Sequence, residues 1–90
     1  MEFIFEENRI FCEERGNLLA EITFPALSAD TVGIDHTFVD ESLRGQGIAG
    51  DLMQMAVTVL KNGGKKIKPT CTYAIAWFGK HPEHAGLLAE

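Results

Sequence analysis

The hydrophobic pattern of this chain changes period near residue 40, and this change limits the folds that the chain can adopt. Before residue 40, apolar residues alternate with polar ones in short runs that turn-forming residues separate, which is typical of strands. After it, apolar residues recur at helical spacing from residue 47 to residue 62. A chain of 90 residues can bury one small core. The pattern therefore predicts a single domain over residues 1–90, with an antiparallel sheet packed against one main helix.

Four strands are predicted before the helix, and the fourth matters most because it leads into the helix. This strand is predicted to end at Val39, directly before Asp40. Its large side chains occur at every second position, so we expect them to share one face of the sheet. These side chains belong to Val32, Ile34, His36 and Phe38.

The helix is predicted to bury one apolar stripe and to end at the Asn-Gly-Gly sequence of residues 62–64. A fifth strand over residues 67–73 and a short helix over residues 74–78 follow. A strand, a crossover helix and a strand imply a right-handed parallel pair. The predicted class is therefore α/β in the mixed sense: a twisted, mostly antiparallel sheet of about five strands, one parallel β-α-β unit and a short C-terminal helix. The predicted stripe consists of Ile48, Leu52, Met55, Ala56 and Val59, widened by Ala49, Met53 and Leu60.

Charge and hydropathy exclude several classes of protein. The net charge of −5 argues against a general nucleic-acid binder, and no apolar run has the length of a membrane span. The acidic N-terminus lacks the basic start of a secretory signal, so a cytoplasmic location is expected. Residues 1–43 carry a balance of −8 and residues 44–90 a balance of +3. This asymmetry suits an anionic ligand on one half and a cationic one on the other, although chance explains it equally well.

The segment between the fourth strand and the helix has the features of a phosphate site. A strand that enters a helix through glycines leaves several backbone N–H groups unpaired, where the helix dipole favours negative charge. Gly45 and Gly47 lack a Cβ, so phosphate oxygens can approach the main chain, and Arg44 can add a charge-assisted hydrogen bond. The alternative is a plain glycine-rich loop before a helix.

Two common phosphate motifs do not fit this segment. Gly45, Gly47 and Gly50 match the dinucleotide fingerprint, but that fold needs the loop after its first strand and an acid about twenty residues later. Here four strands precede the loop, and no acid occurs between Asp51 and Glu83. A nucleotide P-loop would need Gly-Lys-Ser or Gly-Lys-Thr after the glycines, and that sequence is missing.

Residues 44–49, Arg-Gly-Gln-Gly-Ile-Ala, resemble the Gln/Arg-x-x-Gly-x-Gly/Ala signature of the GNAT superfamily of N-acetyltransferases. A subgroup of very short members is similar in three further segments, which are residues 34–39, 69–71 and 77–82. The resemblance therefore covers nearly the whole chain. It implies that acetyl-CoA is the cosubstrate and lies between the fourth and fifth strands, with its pyrophosphate on residues 43–49. Lys80, Lys65 and Lys66 are candidates for its 3′-phosphate. The implied cofactor-binding residues are Phe38, Val39, Leu43, Arg44, Gly45, Gln46, Gly47, Ile48, Ala49 and Lys80.

The same resemblance implies acetyl transfer to an amine, for which a base must remove the amine proton. His36 and Asp35 are the nearest candidates, and the alternative for His36 is a packed, hydrogen-bonded core residue. Cys71, on the strand that faces the pantetheine, is a candidate to accept the acetyl group first. Its alternative is a small buried apolar residue. Together with Cys12 it makes too few cysteines for a disulfide scaffold, so both are expected to be free thiols.

Two departures from the family pattern leave a second function open. Many members carry a tyrosine, as the acid for the leaving thiolate, where this chain has Trp77 and Phe78, and Tyr73 lies earlier. The helices that usually help to form the acceptor pocket are replaced by a turn at residues 7–9. The acceptor, a small amine or a protein, then meets an open site or one that a partner subunit completes. We therefore expect an N-acetyltransferase, with a non-catalytic CoA-binding or interaction module as the alternative.

The histidines of residues 81–84, His-Pro-Glu-His, do not form a typical metal motif. Pro82 interrupts helical spacing, and no third ligand lies nearby, whereas a zinc site needs three or four ligands. No metal is expected to bind here.

Overall fold

The computed structural model describes residues 1–89. Within them, β1 to β3 and β5 form a four-stranded antiparallel sheet in the order β1-β2-β3-β5, and β4 and β6 form a parallel pair. The mixed class predicted from the sequence is confirmed, and the described residues contain six strands where about five were predicted. The elements are β1 (Ile4–Glu6), β2 (Arg9–Glu14), β3 (Asn17–Thr23), β4 (Thr31–Ile34), β5 (His36–Val39), α1 (Ile48–Asn62), β6 (Lys66–Pro69) and α2 (Thr72–Lys80), with 3-10 helices at Glu41–Leu43 and Pro82–Leu87.

The extra strand arises because the predicted fourth strand divides at Asp35. The Asp35 N–H still donates to the Thr23 carbonyl of β3, at 3.3 Å. The carbonyl of Ile34, in contrast, accepts the N–H groups of Thr70 at 2.9 Å and Cys71 at 3.2 Å, which follow β6. The two sheets therefore separate directly after Ile34, and this point is called the fork below.

The division also changes which side chains share a face. Val32 and Ile34 are buried in the core, but His36 is exposed and Phe38 is only half-buried. Val39 packs against the core instead. A break that shifts the alternation by one residue exchanges the two faces beyond it, so the prediction of one shared face was wrong.

Helix α1 covers the core face of the sheet with a stripe slightly different from the predicted one. Its buried residues include Val57, which is fully buried, whereas Val59 is 41% exposed. The buried set follows two adjacent rows of residues spaced by four, and Val59 lies outside both. The buried residues are Leu52, Met53, Ala56, Val57 and Leu60.

Helix α2 begins earlier than predicted. Strand β6 ends at Pro69, which has no N–H with which to continue a ladder. Cys71 is the N-cap of α2, and its Sγ accepts the Ala74 N–H at 3.3 Å. The sequence placed Cys71 and Tyr73 on a strand, and the structure places them at the start of a helix.

One apolar core joins the four-stranded sheet, α1, β6 and α2. Complete burial of a large aliphatic or aromatic side chain stabilises the fold by about 1.5–3 kcal/mol. Over residues 1–89, no helix combines the length and the apolar character needed to cross a bilayer. The largest fully buried side chains are Phe24, Ile10, Ile22, Ile34, Leu52, Met53 and Ile67.

Candidate functional site

The loop that leads from β5 into α1 uses glycine where the backbone has positive φ. Gly45 has φ of 84° and Gly47 has φ of 75°, in the left-handed region that L residues rarely adopt. A Cβ built on either glycine would meet no atom within 4 Å. The backbone conformation, and not contact with neighbouring protein atoms, is therefore what favours glycine at these two positions.

This loop leaves a run of backbone donors free at the start of α1. Within residues 1–89, the N–H groups of residues 45–50 donate to no protein acceptor, and the first helical bond runs from Asp51 N to Gly47 O at 3.1 Å. Gly47 is the N-cap, and no side chain caps the helix. Unpaired N–H groups and the positive end of a helix dipole together form an anion site.

The residues before the loop are held in place by their own hydrogen bonds. The carboxylate of Asp40 accepts the hydroxyl and the backbone N–H of Ser42, and these bonds lower the pKa of Asp40. The backbone N–H of Arg44 donates to the Glu41 carbonyl at 3.3 Å. The Arg44 side chain is exposed and forms no hydrogen bond or ion pair within the described part of the chain, so its charge is available to a ligand.

A cavity of about 160 Å³ lies beside these free donors, between the end of β5, the loop and the first turns of α1 and α2. Seven of the ten residues predicted to bind the cofactor line it. Two further lining residues, Gly50 and Tyr73, were not predicted. The lining residues are Val39, Leu43, Arg44, Gly45, Gly47, Ile48, Ala49, Gly50 and Tyr73.

The other three predicted cofactor residues do not line the cavity. Phe38 lies opposite Glu21 on β3, Gln46 is exposed in the loop, and Lys80 is exposed in the last turn of α2. Of the lysines considered for the 3′-phosphate, Lys65 and Lys66 donate to the carbonyls of Ala29 and Gly86, whereas Lys80 makes no side-chain hydrogen bond within residues 1–89. Of these three lysines, Lys80 therefore has the ammonium group most available to a phosphate.

Tyr73 enters the cavity because α2 starts at Thr72. Its hydroxyl is 3.8 Å from the position where a Cβ on Gly50 would stand, so it lies against the first turn of α1. Partial burial raises the pKa of Tyr73 above its ordinary value of 10.0, so the hydroxyl is a hydrogen-bond donor at neutral pH, as an unperturbed phenol also is. The sequence feature that could have identified Tyr73 is Pro69, because the strand ends there and α2 can then begin before residue 73.

The candidate catalytic residues lie on the two sides of the fork. His36 begins β5, and its side chain is 51% exposed, with Nε2 3.3 Å from Oε1 of Glu21. Asp35 is exposed and accepts a hydrogen bond from the Thr23 hydroxyl. Cys71 is half-buried at the start of α2. The structure thus places His36 and Cys71 near the fork, while the cavity itself contains Tyr73.

The C-terminal histidines pack on an aromatic ring. The rings of His81 and His84 stack on Trp77, with centroids 3.9 and 5.6 Å away. Nδ1 of His81 is also 2.7 Å from the Trp77 carbonyl oxygen. Both histidines therefore help to pack the C-terminal 3-10 helix against α2.

The fold and the loop are those of an acetyltransferase of the GNAT type. The family model described as GCN5-related N-acetyl-transferase matches residues 9–87, and the chain belongs to this family. The resemblance found in the sequence is confirmed. No curated protein sequence gives a significant match.

Solved structures agree with this assignment. The NMR solution structure of a GCN5-like protein from Staphylococcus aureus is 28% identical, with a TM-score of 0.81, over 98% of this chain and 87% of that one. Rv2747 from Mycobacterium tuberculosis, crystallised with CoA and NLQ, is 16% identical with a TM-score of 0.67, over 84% of this chain and 48% of that one. Ard1 from Thermoplasma volcanium is 19% identical with a TM-score of 0.65, over 83% and 54%. These last two show the fold, and this chain spans about half of their length.

The family assignment defines the reaction in general terms. Members of the family transfer an acetyl group from acetyl-CoA, so the chain is an N-acetyltransferase. The acceptor is not defined by this assignment.

Proposed function

We propose that this protein binds acetyl-CoA with the pyrophosphate at residues 45–50 and transfers the acetyl group to an exposed amine. The observation that carries the proposal is the run of N–H groups at the start of α1 that no protein acceptor within residues 1–89 satisfies. We further propose that residues 1–90 act as a single domain. A cytoplasmic location stays a prediction.

The residues around the loop fit such a ligand in charge and in shape. The amides of residues 45–50 supply donors to phosphate oxygens, and the free guanidinium of Arg44 adds a positive charge. One wall of the cavity is apolar and suits the uncharged pantetheine arm; it consists of Val39, Leu43 and Ile48. Acetyl-CoA supplies the activated acetyl group as a thioester.

We assign the proton transfer from the amine to His36 and a cofactor-binding role to Tyr73. The imidazole of His36 accepts a proton from the substrate ammonium group, which frees the nitrogen lone pair for bond formation with the acetyl carbon. The leaving sulfur takes a proton from solvent as the carbon–sulfur bond breaks, and the second proton that the nitrogen loses passes to solvent. The hydroxyl of Tyr73, which lies against Gly50, is a hydrogen-bond donor to the cofactor near its pyrophosphate.

A two-step route through Cys71 is the second candidate. The sulfur of Cys71 lies at the N-terminus of α2, close to the fork, and accepts the Ala74 N–H at 3.3 Å. In this route the sulfur of Cys71 bonds to the acetyl carbon and CoA leaves as a thiol. The amine then displaces the Cys71 sulfur.

The acceptor that we propose is an amine on a small molecule or on a protein chain. Only residues 7–8 connect β1 and β2, so no helix covers the sheet at that point. An open sheet face admits a large amine, and the balance of −8 over residues 1–43 favours a cationic one.

Calorimetry with CoA and an assay for released thiol test this proposal together. We expect saturable CoA binding and thiol release from acetyl-CoA in the presence of an amine panel, with His36→Ala slowing release by about 10²–10⁴-fold. Mass spectrometry of the protein after incubation with acetyl-CoA separates the two routes, because only the Cys71 route leaves an acetyl group on the enzyme. Absence of CoA binding at millimolar concentration would refute the proposal. Binding without thiol release for any amine would instead support a non-catalytic CoA-binding module.

A further inference from the structure

The face of the four-stranded sheet opposite the core carries two ordered rows of side chains, and it is called the outer face below. In each row the strand register places four residues opposite one another across β1, β2, β3 and β5. One row is mainly apolar and the other is polar. The first row is Ile4, Phe11, Glu21 and Phe38, and the second is Glu6, Arg9, Thr23 and His36.

Glu21 connects the two rows because its carboxylate contacts two cations or potential cations. Oε2 accepts a hydrogen bond from Nε of Arg9, and Oε1 lies 3.3 Å from Nε2 of His36. The Glu21 side chain is only 15% exposed. Each oxygen of this poorly exposed carboxylate therefore has a separate neighbour.

Arg9 fixes the orientation of this carboxylate. Its guanidinium lies over the Phe11 ring, 3.7 Å from the ring centroid, and Nη1 is 3.5 Å from the Glu6 carboxylate. A guanidinium held by an aromatic ring and by a second carboxylate offers its Nε–H in one direction. Glu21 consequently keeps one oxygen for Arg9 and presents the other to His36.

We propose that Glu21 is a positioning residue that holds the neutral His36 ring in the tautomer with hydrogen on Nε2. A neutral imidazole has one N–H and one lone pair, and a lone pair on Nε2 would lie 3.3 Å from the negative charge of Oε1, which is unfavourable. The lone pair is therefore on Nδ1, which is the atom that accepts the amine proton. This inference rests on the proposed role of His36 as the base.

The substitution Glu21→Gln distinguishes this arrangement from a merely structural contact. The Gln oxygen is expected to stay with the Nε–H of Arg9, which places the amide NH₂ beside Nε2 of His36. Since that NH₂ group is a donor, it favours a lone pair on Nε2 and moves the hydrogen to Nδ1. Glu21→Gln should thus reverse the tautomer without removing the side chain.

Nitrogen-15 NMR of the His36 ring, recorded at a pH where the imidazole is neutral, measures the tautomer directly. The unmodified protein is expected to show the Nε2–H form, and Glu21→Gln the Nδ1–H form. A double variant with Arg9→Leu and Glu21→Gln frees the Gln oxygen to turn toward His36 and should restore the Nε2–H form. Glu14→Gln, which neutralises an exposed carboxylate of β2 that forms no ion pair within residues 1–89, is the matched control and should leave the ring signals unchanged.

Activity measurements then connect the tautomer to the reaction. Glu21→Gln is expected to lower kcat by about 10²-fold or more, with KM for acetyl-CoA unchanged, because the base loses its available lone pair. A predominantly Nδ1–H ring in the unmodified protein overturns the inference whether or not the variants fold, and so does an unchanged tautomer in folded Glu21→Gln. If His36→Ala keeps full activity, the role of His36 in the proposed function fails instead, so the two failures are distinguishable.

Discussion

The two α-helices of this protein begin in opposite ways. Helix α2 is capped by the sulfur of Cys71, which takes up the Ala74 N–H. Helix α1 begins at a glycine, Gly47, and leaves the amides of residues 45–50 without an acceptor within the described residues. A side-chain cap stabilises a helix by typically about 1 kcal/mol, so α1 lacks a contribution that the other helix has.

This difference indicates which helix start is structural and which is reserved for a ligand. Protein chains usually satisfy the donors at a helix start with their own side chains. Donors left free beside a cavity keep their capacity for an anion, and local stability is lower as a result. Four predictions test this comparison. They add a charged cap to α1, remove the Arg44 charge beside it, remove the Cys71 cap of α2, or change the Asp40 cap of the 3-10 helix before the loop.

The largest effect is expected from giving α1 its own negative group with Gly47→Asp. The new carboxylate would lie among the free amides and repel the pyrophosphate, and like charges placed together cost several kcal/mol. We expect CoA affinity to fall by more than about 100-fold in calorimetry. Gly47→Asn is the matched control, since Asn has nearly the same shape without the charge and also tolerates positive φ. Equal affinities of the Asp and Asn variants would contradict an anion site.

A smaller loss of affinity is expected from Arg44→Ala. Removal of a charge-assisted hydrogen bond should weaken CoA binding by about 1–3 kcal/mol, and the difference should shrink at high salt. Lys61→Ala removes an exposed positive charge at the other end of α1 and should leave the affinity unchanged. An unchanged affinity for Arg44→Ala would mean that the guanidinium points elsewhere.

Loss of the α2 cap should change stability and not CoA affinity. Cys71→Ala leaves the Ala74 N–H without its acceptor and should lower the free energy of unfolding by about 1 kcal/mol, measured by urea denaturation. Cys71→Ser supplies a hydroxyl acceptor at the same position and should recover most of this loss. If CoA affinity fell with the cap in the Ala variant but not in the Ser variant, the two helix starts would not be independent.

The smallest effect concerns the cap of the 3-10 helix before the loop. Hydrogen bonds from Ser42 lower the pKa of Asp40 below its ordinary value of 3.8, so the charged carboxylate stabilises the folded state. This contribution is complete above that value and is lost as the pH falls through the lower pKa of the folded state. The Ser42 amide signal in NMR should therefore shift only in strongly acidic solution, and Asp40→Asn should remove that shift.

Much of the site was predictable because it depends on local sequence. Glycines at 45 and 47 before an amphipathic helix specify a loop with positive φ and free donors, and the structure has both. Seven residues predicted from this segment and its flanks line the cavity. Whether they bind CoA stays a prediction.

The rest depends on contacts that sequence patterns do not report. Alternation continues from Val32 to Phe38 in the sequence, but the strand breaks at Asp35 because Thr70 and Cys71, far along the chain, bond to Ile34. The apolar and β-branched residues after Pro69 are typical of a strand, yet they begin α2. This error in the start of α2 is why Tyr73 was not predicted to line the cavity.

Because the sheets separate at Ile34, the length of β5 sets the distance between the fork and the loop that enters α1. The strand has four residues, which at a rise of about 3.3 Å per residue makes it roughly 13 Å long, and it lies between the fork and the loop that enters α1. A ligand anchored by its charged group at the helix start can place its far end at the fork only if its extended arm has a matching length. On the proposed binding mode, an acyl donor with a shorter arm would bind at the helix start without bringing its acyl group to the fork.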